Sequence, residues 1–95
     1  MTNNLNLNLS VSIFKEGKYF IAYSSALDIS TAGKTFEESK KRFNEVVQIF
    51  FEETSKKGKL EETLSNLGWQ KIKQQWSPPT FISHIQEEIR VQVPA

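Results

Sequence analysis

One stretch of this chain constrains its fold more than any other. Phe36, Phe43, Val46, Val47, Phe50 and Thr54 recur at helical intervals and fall on one stripe, an apolar face that must be covered. Thr35 and Glu38 mark the start with the spacing of a capping box, the hydroxyl accepting from the first turn and the carboxylate reaching back to the Thr35 amide. Glu37/Lys41 and Glu38/Arg42 stand four apart in the favourable order on the opposite face. Lys56 and Lys57 suit the negative end of the helix dipole, and Gly58 offers a stop. At about 1.5 Å per residue the helix is roughly 33 Å long. A lid of that length needs a sheet beneath it.

The residues before it supply one. Leu5, Leu7, Leu9, Val11 and Ile13 alternate with Asn6, Asn8, Ser10 and Ser12, the period of two that a pleated strand sends to opposite faces. Lys15-Glu16-Gly17-Lys18 reads as a tight turn, and Tyr19 to Tyr23 as an aromatic strand pairing back. After the polar loop Ser24 to Asp28, Ile29 to Ala32 forms a third strand stopped by Gly33. Beyond Gly58, Leu60, Leu64 and Leu67 predict a shorter helix that Gly68 ends. Trp69 to Trp76 is mixed in pattern, Ser77-Pro78-Pro79 is an extended breaker, and Phe81 to Ile85 is weakly strand-like. Ile89, Val91 and Val93 alternate with Arg90 and Gln92 up to Pro94, which predicts an edge strand.

The expected fold is therefore α+β and two-layered. An antiparallel sheet of three to four strands lies under one long helix, with a short second helix and an edge strand after it. Ninety-five residues make one domain, 1–95, with a βββα core over 1–58 and the short helix, loop and strand over 59–95. A chain of this size buries only about 60 to 65% of its unfolded surface, so its 38% hydrophobic content goes into one core and leaves little for a deep pocket.

Charge and cysteine narrow the chemistry. Twelve Lys plus Arg against eleven Asp plus Glu gives +1, short of the basic excess of a dedicated nucleic-acid binder. With no cysteine there is no disulfide framework, thiol nucleophile or thiolate metal site, which suits a reducing cytoplasm. Met1 to Asn8 carries no basic residue and reads neither as a secretory signal nor as a transit peptide, and no apolar run approaches the roughly 20 residues of a membrane span. A cytoplasmic location is the expectation.

Catalytic material is thin. His84 is the single histidine and Asp28 the single aspartate. Glu52/Glu53 and Glu61/Glu62 read as solvated pairs rather than as converging metal ligands. Ser24 or Ser25 with Asp28 and His84 makes a triad only on paper, without a nucleophile elbow. Gly33-Lys34-Thr35 lacks the earlier glycine of a phosphate loop and is better explained as a cap. Trp69, after a helix-ending glycine, reads as a core anchor. Trp76, among Gln74, Gln75 and prolines, reads as partly exposed, and with Lys71 and Lys73 it could stack on single-stranded RNA. Ile49 and Phe51 lie off the stripe centre, either widening it or meeting a partner. The expectation is no enzyme, no cofactor and no metal.

YFIAYSSALDISTAGKTFEE, Tyr19 to Glu38, followed by a long amphipathic helix, resembles the amino-terminal domain of HicB-family antitoxins. The likeness runs from roughly Val11 to Thr54: an aromatic strand, a loop with Ala26-Leu27, a short strand, then Gly33-x-Thr35-x-x-Glu38 opening the helix. The family commonly has proline where Ser25 stands and alanine where Ser39 stands. Many members also carry a helical DNA-binding element that Pro78 to Ala95 is too short and too strand-like to form, so operator binding is not expected. The resemblance implies a partial ribonuclease-H-like βββαβ domain without catalytic acids. It also implies a partner, a small basic HicA-type toxin that cleaves messenger RNA and is silenced when its active site is covered.

Candidate partner-binding residues are Tyr23, Ser25, Leu27, Asp28 and Trp76, centred on the Ser24–Asp28 loop and an exposed strand edge. Leu27 is either an apolar anchor for the partner or a plug beneath the loop, and Asp28 is a lone acid facing a basic toxin. Ile89, Val91 and Val93 are candidate oligomerisation residues, since a strand exchanged between two copies hides two edges at once and gives a homodimer or heterotetramer. The rival readings are a homo-oligomeric structural or regulatory protein without a toxin, and a small RNA-binding protein.

Overall fold

The computed structural model describes residues 7–94 and is α+β. Three antiparallel strands, β1 (Ser12–Glu16), β2 (Tyr19–Ser24) and β3 (Ile29–Gly33), form a meander in the order β1-β2-β3. Helix α1 (Phe36–Lys56) follows, then α2 (Leu60–Asn66) and a separate hairpin of β4 (Gln70–Ile72) and β5 (Gln75–Ser77). The register pairs Phe14 with Ile21 and Ile21 with Ala32. No described helix is long and apolar enough to cross a membrane.

Gly33 sets how closely α1 sits on the sheet. A Cβ built there would lie 2.5 Å from the Ser39 nitrogen and 2.9 Å from the Glu38 carbonyl carbon, so the strand touches the first turns of the helix backbone to backbone. Thr31, two residues earlier on the same face, donates its hydroxyl to the Ser39 carbonyl at 3.2 Å. Helix α1 therefore lies over β3 and β2. Phe20, Ala22 and Ser24 face it, and Tyr19, Ile21 and Tyr23 face away.

Half of the capping box forms. The Glu38 amide donates to the Thr35 hydroxyl at 3.0 Å, but the Glu38 carboxylate turns to Arg42, also at 3.0 Å. Arg42 in turn donates to the Ala32 carbonyl of β3 at 2.9 Å, a second acceptor that draws the pair away from the cap. The expected Glu37/Lys41 pair is not among the ion pairs of the described residues. Both helices end in the same way, with glycine in the left-handed region at Gly58 (φ +67°) and Gly68 (φ +89°). In each the next residue donates back to the third-from-last helical carbonyl, Lys59 to Thr54 at 3.1 Å and Trp69 to Leu64 at 3.0 Å. The second of these bonds delivers Trp69 into the core.

That core is built from Leu27, Leu64 and Trp69, with Val47, Phe50, Phe51 and Leu60 packed against it. The Trp69 indole donates to the Ala26 carbonyl at 2.7 Å, and its ring meets Phe51 edge-on at 6.3 Å. The β2–β3 loop is thus clamped from below by a residue 43 positions later. Phe43 of α1 and Ala22 of β2 are buried as well.

Several expectations are corrected. Leu5 lies outside the described residues. Leu7, Leu9 and Val11 precede β1 rather than belong to it, because Leu7 and Leu9 pack onto the Trp69 cluster instead of pairing in a ladder. Phe36 opens the helix stripe but is 46% exposed, under the Lys40 ammonium at 5.5 Å. Phe51 widens the core, whereas Ile49 faces solvent. Among the described residues no strand after α1 joins the main sheet, so the final β of the βββαβ order is not seen there. The predicted edge strand of Ile89, Val91 and Val93 does not form in the single chain. Residues 78–94 run as an arm without secondary structure, since an extended segment with no neighbour has nothing to satisfy its backbone.

Candidate protein-binding surface

Cross-strand pairs share a face, so the register places Phe14, Glu16, Tyr19, Ile21 and Tyr23 together on the side of the sheet away from α1. Phe14 and Tyr19 are each 48% exposed there. This face was legible in part: Tyr19 to Tyr23 is apolar or aromatic at nearly every position, and a strand with only one covered face would alternate. Phe14, Tyr19 and Ile21 thus join the candidate residues.

Tyr23 and Asp28 close one end of this face. The Tyr23 hydroxyl donates to an Asp28 carboxylate oxygen at 3.2 Å. That bond, slight desolvation and the neighbouring negative charge all hold the phenol above the usual tyrosine range. Asp28 reaches it from a left-handed backbone (φ 53°), a conformation that aspartate tolerates in tight turns. Glu16, opposite Tyr19, sits at the other end. The result is an aromatic patch with a carboxylate at each end.

The other candidates are scattered. Leu27 is 3% exposed and takes the plug alternative, packed with Leu64 and Trp69. Ser25 is exposed and lines an open groove with Asn8, Ser10, Ala26 and Pro78 to Phe81, where the arm leaves the body. Trp76 is half-buried on β5, packed against the Trp69 cluster. Lys71 lies over its ring at 5.8 Å and is also held by Glu61 at 2.8 Å, so this cation is already paired. Lys71 correspondingly holds the Glu61 carboxyl below its usual range, by hydrogen bond and by charge. Ile89, Val91 and Val93 are all exposed on the arm.

Ser24 is fully buried, and His84 stacks on Phe81 in the arm, beside a depression lined by Ser10 to Phe14 to which Ser24, Ser25 and Asp28 do not contribute. Among the described residues, no three His, Asp or Glu side chains gather closely enough to hold a metal ion. Comparison of the chain with protein-family models, with curated proteins and with solved structures gave no match.

Proposed function

We propose that this chain is a non-catalytic binding module of the HicB-antitoxin kind, which neutralises a small basic RNA-cleaving toxin by covering its active site. The observation that carries the reading is the outer sheet face, where Phe14, Tyr19 and Tyr23 stand clear of the helix with Glu16 and Asp28 at its ends. Aromatic side chains supply much of the binding energy of protein interfaces at a low entropic cost, and flanking carboxylates favour a cationic partner over an acidic one. The strand-strand-strand-helix order that the resemblance implies is present from Ser12 to Lys56 and supports the same reading.

The test is the RNA-cleaving activity of a HicA-type protein encoded beside this one, measured with increasing amounts of the chain. Cleavage should cease near one equivalent. Phe14→Ala with Tyr19→Ala should raise the dissociation constant of the complex, measured at dilutions near it, by at least about tenfold, the effect of losing some 1.4 kcal/mol of contact, with an unchanged circular dichroism spectrum. Undiminished cleavage at a large excess of chain, with no complex on co-purification, would end the proposal.

A further inference from the structure

Two features of the chain lack what the other has. The first is the outer edge of β1. Among the described residues, the backbone of Ser12–Glu16 makes no hydrogen bond outside its ladder with β2, and α1 lies over β2 and β3 rather than over β1. The opposite edge is guarded, because Arg42 and α1 sit against β3. An open edge of this kind is a template for one more strand.

The second is the arm. After Pro78 and Pro79, whose rings hold the backbone extended, residues 80–94 make no secondary structure and leave Ile82, Ile85, Ile89, Val91 and Val93 at 67 to 86% exposure. The radius of gyration is 16.4 Å, where about 12 Å is expected of a compact chain of this length. The arm passes the body at Phe81 and His84, which border an open depression with Ser10 to Phe14, and goes no further along it. Extended, fifteen residues span about 50 Å, well beyond the 29 and 25 Å short dimensions of the molecule.

We propose that the arm is an exchanged strand, and that Ile89–Val93 of each copy pairs along β1 of a second copy. A reciprocal exchange closes on itself with two-fold symmetry, adds a fourth strand to each sheet and covers both open edges. In the antiparallel sense, Val93 comes to the Ser12 end of β1 and Glu87 and Glu88 to the Lys15–Lys18 end, while Arg90 falls opposite Lys15, so the pairing rests on the open edge and the β-branched alternation rather than on charge. This assembly needs no toxin: its hydrogen bonds are made by the edge of the sheet, and Ile89, Val91 and Val93, beside Glu16, Phe14 and Ser12, widen the outer face.

Sedimentation of the full chain over a wide concentration range, with hydrogen exchange on the same samples, tests it. The wild type should sediment at twice the chain mass with the outward amides of Ser12–Glu16 protected. Val91→Pro removes an amide donor from the middle of the added strand and should give the single-chain mass with those amides exchanging at least tenfold faster. Ile82→Pro, equally exposed but outside the pairing stretch, should keep the dimer. A wild type of single-chain mass at every concentration overturns the proposal, whether or not the β1 amides are protected. So does a Val91→Pro variant that stays dimeric, or one that becomes monomeric with β1 protection unchanged.

Discussion

Gly33→Ala puts the contact between sheet and helix to a quantitative test. Gly33 does not have a positive φ, so alanine meets no backbone objection there, and by loss of freedom in the unfolded chain alone the change would stabilise by about 0.4–1 kcal/mol. Against that stands the space the new methyl would need. Its three nearest neighbours, at 2.5, 2.9 and 2.9 Å, are backbone atoms of Glu38 and Ser39, inside a turn fixed by the Thr35 cap and by the Thr31 hydroxyl. Relief requires α1 to lift from β3 as a unit, and overpacking of this kind costs about 1–3 kcal/mol, the rigid neighbours placing it at the upper end. The clash outweighs the entropy gain. A net loss of about 2 kcal/mol is expected, which for a domain of this size lowers the melting temperature by roughly 8–16 °C. Denaturant unfolding followed by circular dichroism, at one protein concentration for both proteins, measures it. A variant as stable as the wild type, or more so, would refute the backbone-to-backbone packing.

Three further outcomes follow from single groups. Trp69→Phe removes the donor that satisfies the Ala26 carbonyl and should cost about 1–3 kcal/mol in denaturant unfolding, with faster exchange across the Ser25–Asp28 loop; an unchanged loop would show that the indole bond does not clamp it. Ser24 is fully buried and its hydroxyl has no hydrogen-bond partner among the described residues, so Ser24→Ala should be neutral or stabilising by up to about 1 kcal/mol, and a clear destabilisation in the same assay would mean a missed partner. Tyr23 is held protonated by Asp28, so its folded-state pKa lies above the ordinary value of about 10. The stabilisation it contributes is complete below that value and is lost as the pH rises through the folded one. In a Tyr19→Phe background, where Tyr23 is the single tyrosine, Asp28→Asn should move the absorbance titration to lower pH, and an unmoved titration would contradict the Tyr23–Asp28 bond.

What could be read directly from residue order was the local part. Thr35, the Phe43–Phe50 stripe and Gly58 specify α1 within a residue or two, because cap, face and stop all act within a few positions of chain. The hairpin and β3 were legible for the same reason, one glycine-containing turn and one polar loop joining short β-rich runs. Arg42 shows where local reasoning fails. Its pairing with Glu38 followed from spacing, but its bond to Ala32, which diverted Glu38 from the cap, joins residues on different elements.

The binding surface divides in the same way. The aromatic run Tyr19 to Tyr23 marked β2 as a strand, but only the close approach at Gly33 decided which of its faces the helix covers and so which aromatics remain outside. Leu27 had two readings until Trp69, brought round by the turn at Gly68, came to lie beneath the loop. The alternation of Ile89, Val91 and Val93 established a strand-forming tendency and nothing more, because a strand is completed only by a neighbour. Residue order alone therefore determined α1 and the three-stranded meander, whose hydrogen bonds and caps are short-range. Which faces and edges stay open was decided by tertiary packing, since burial depends on what residues far away in the chain bring into contact.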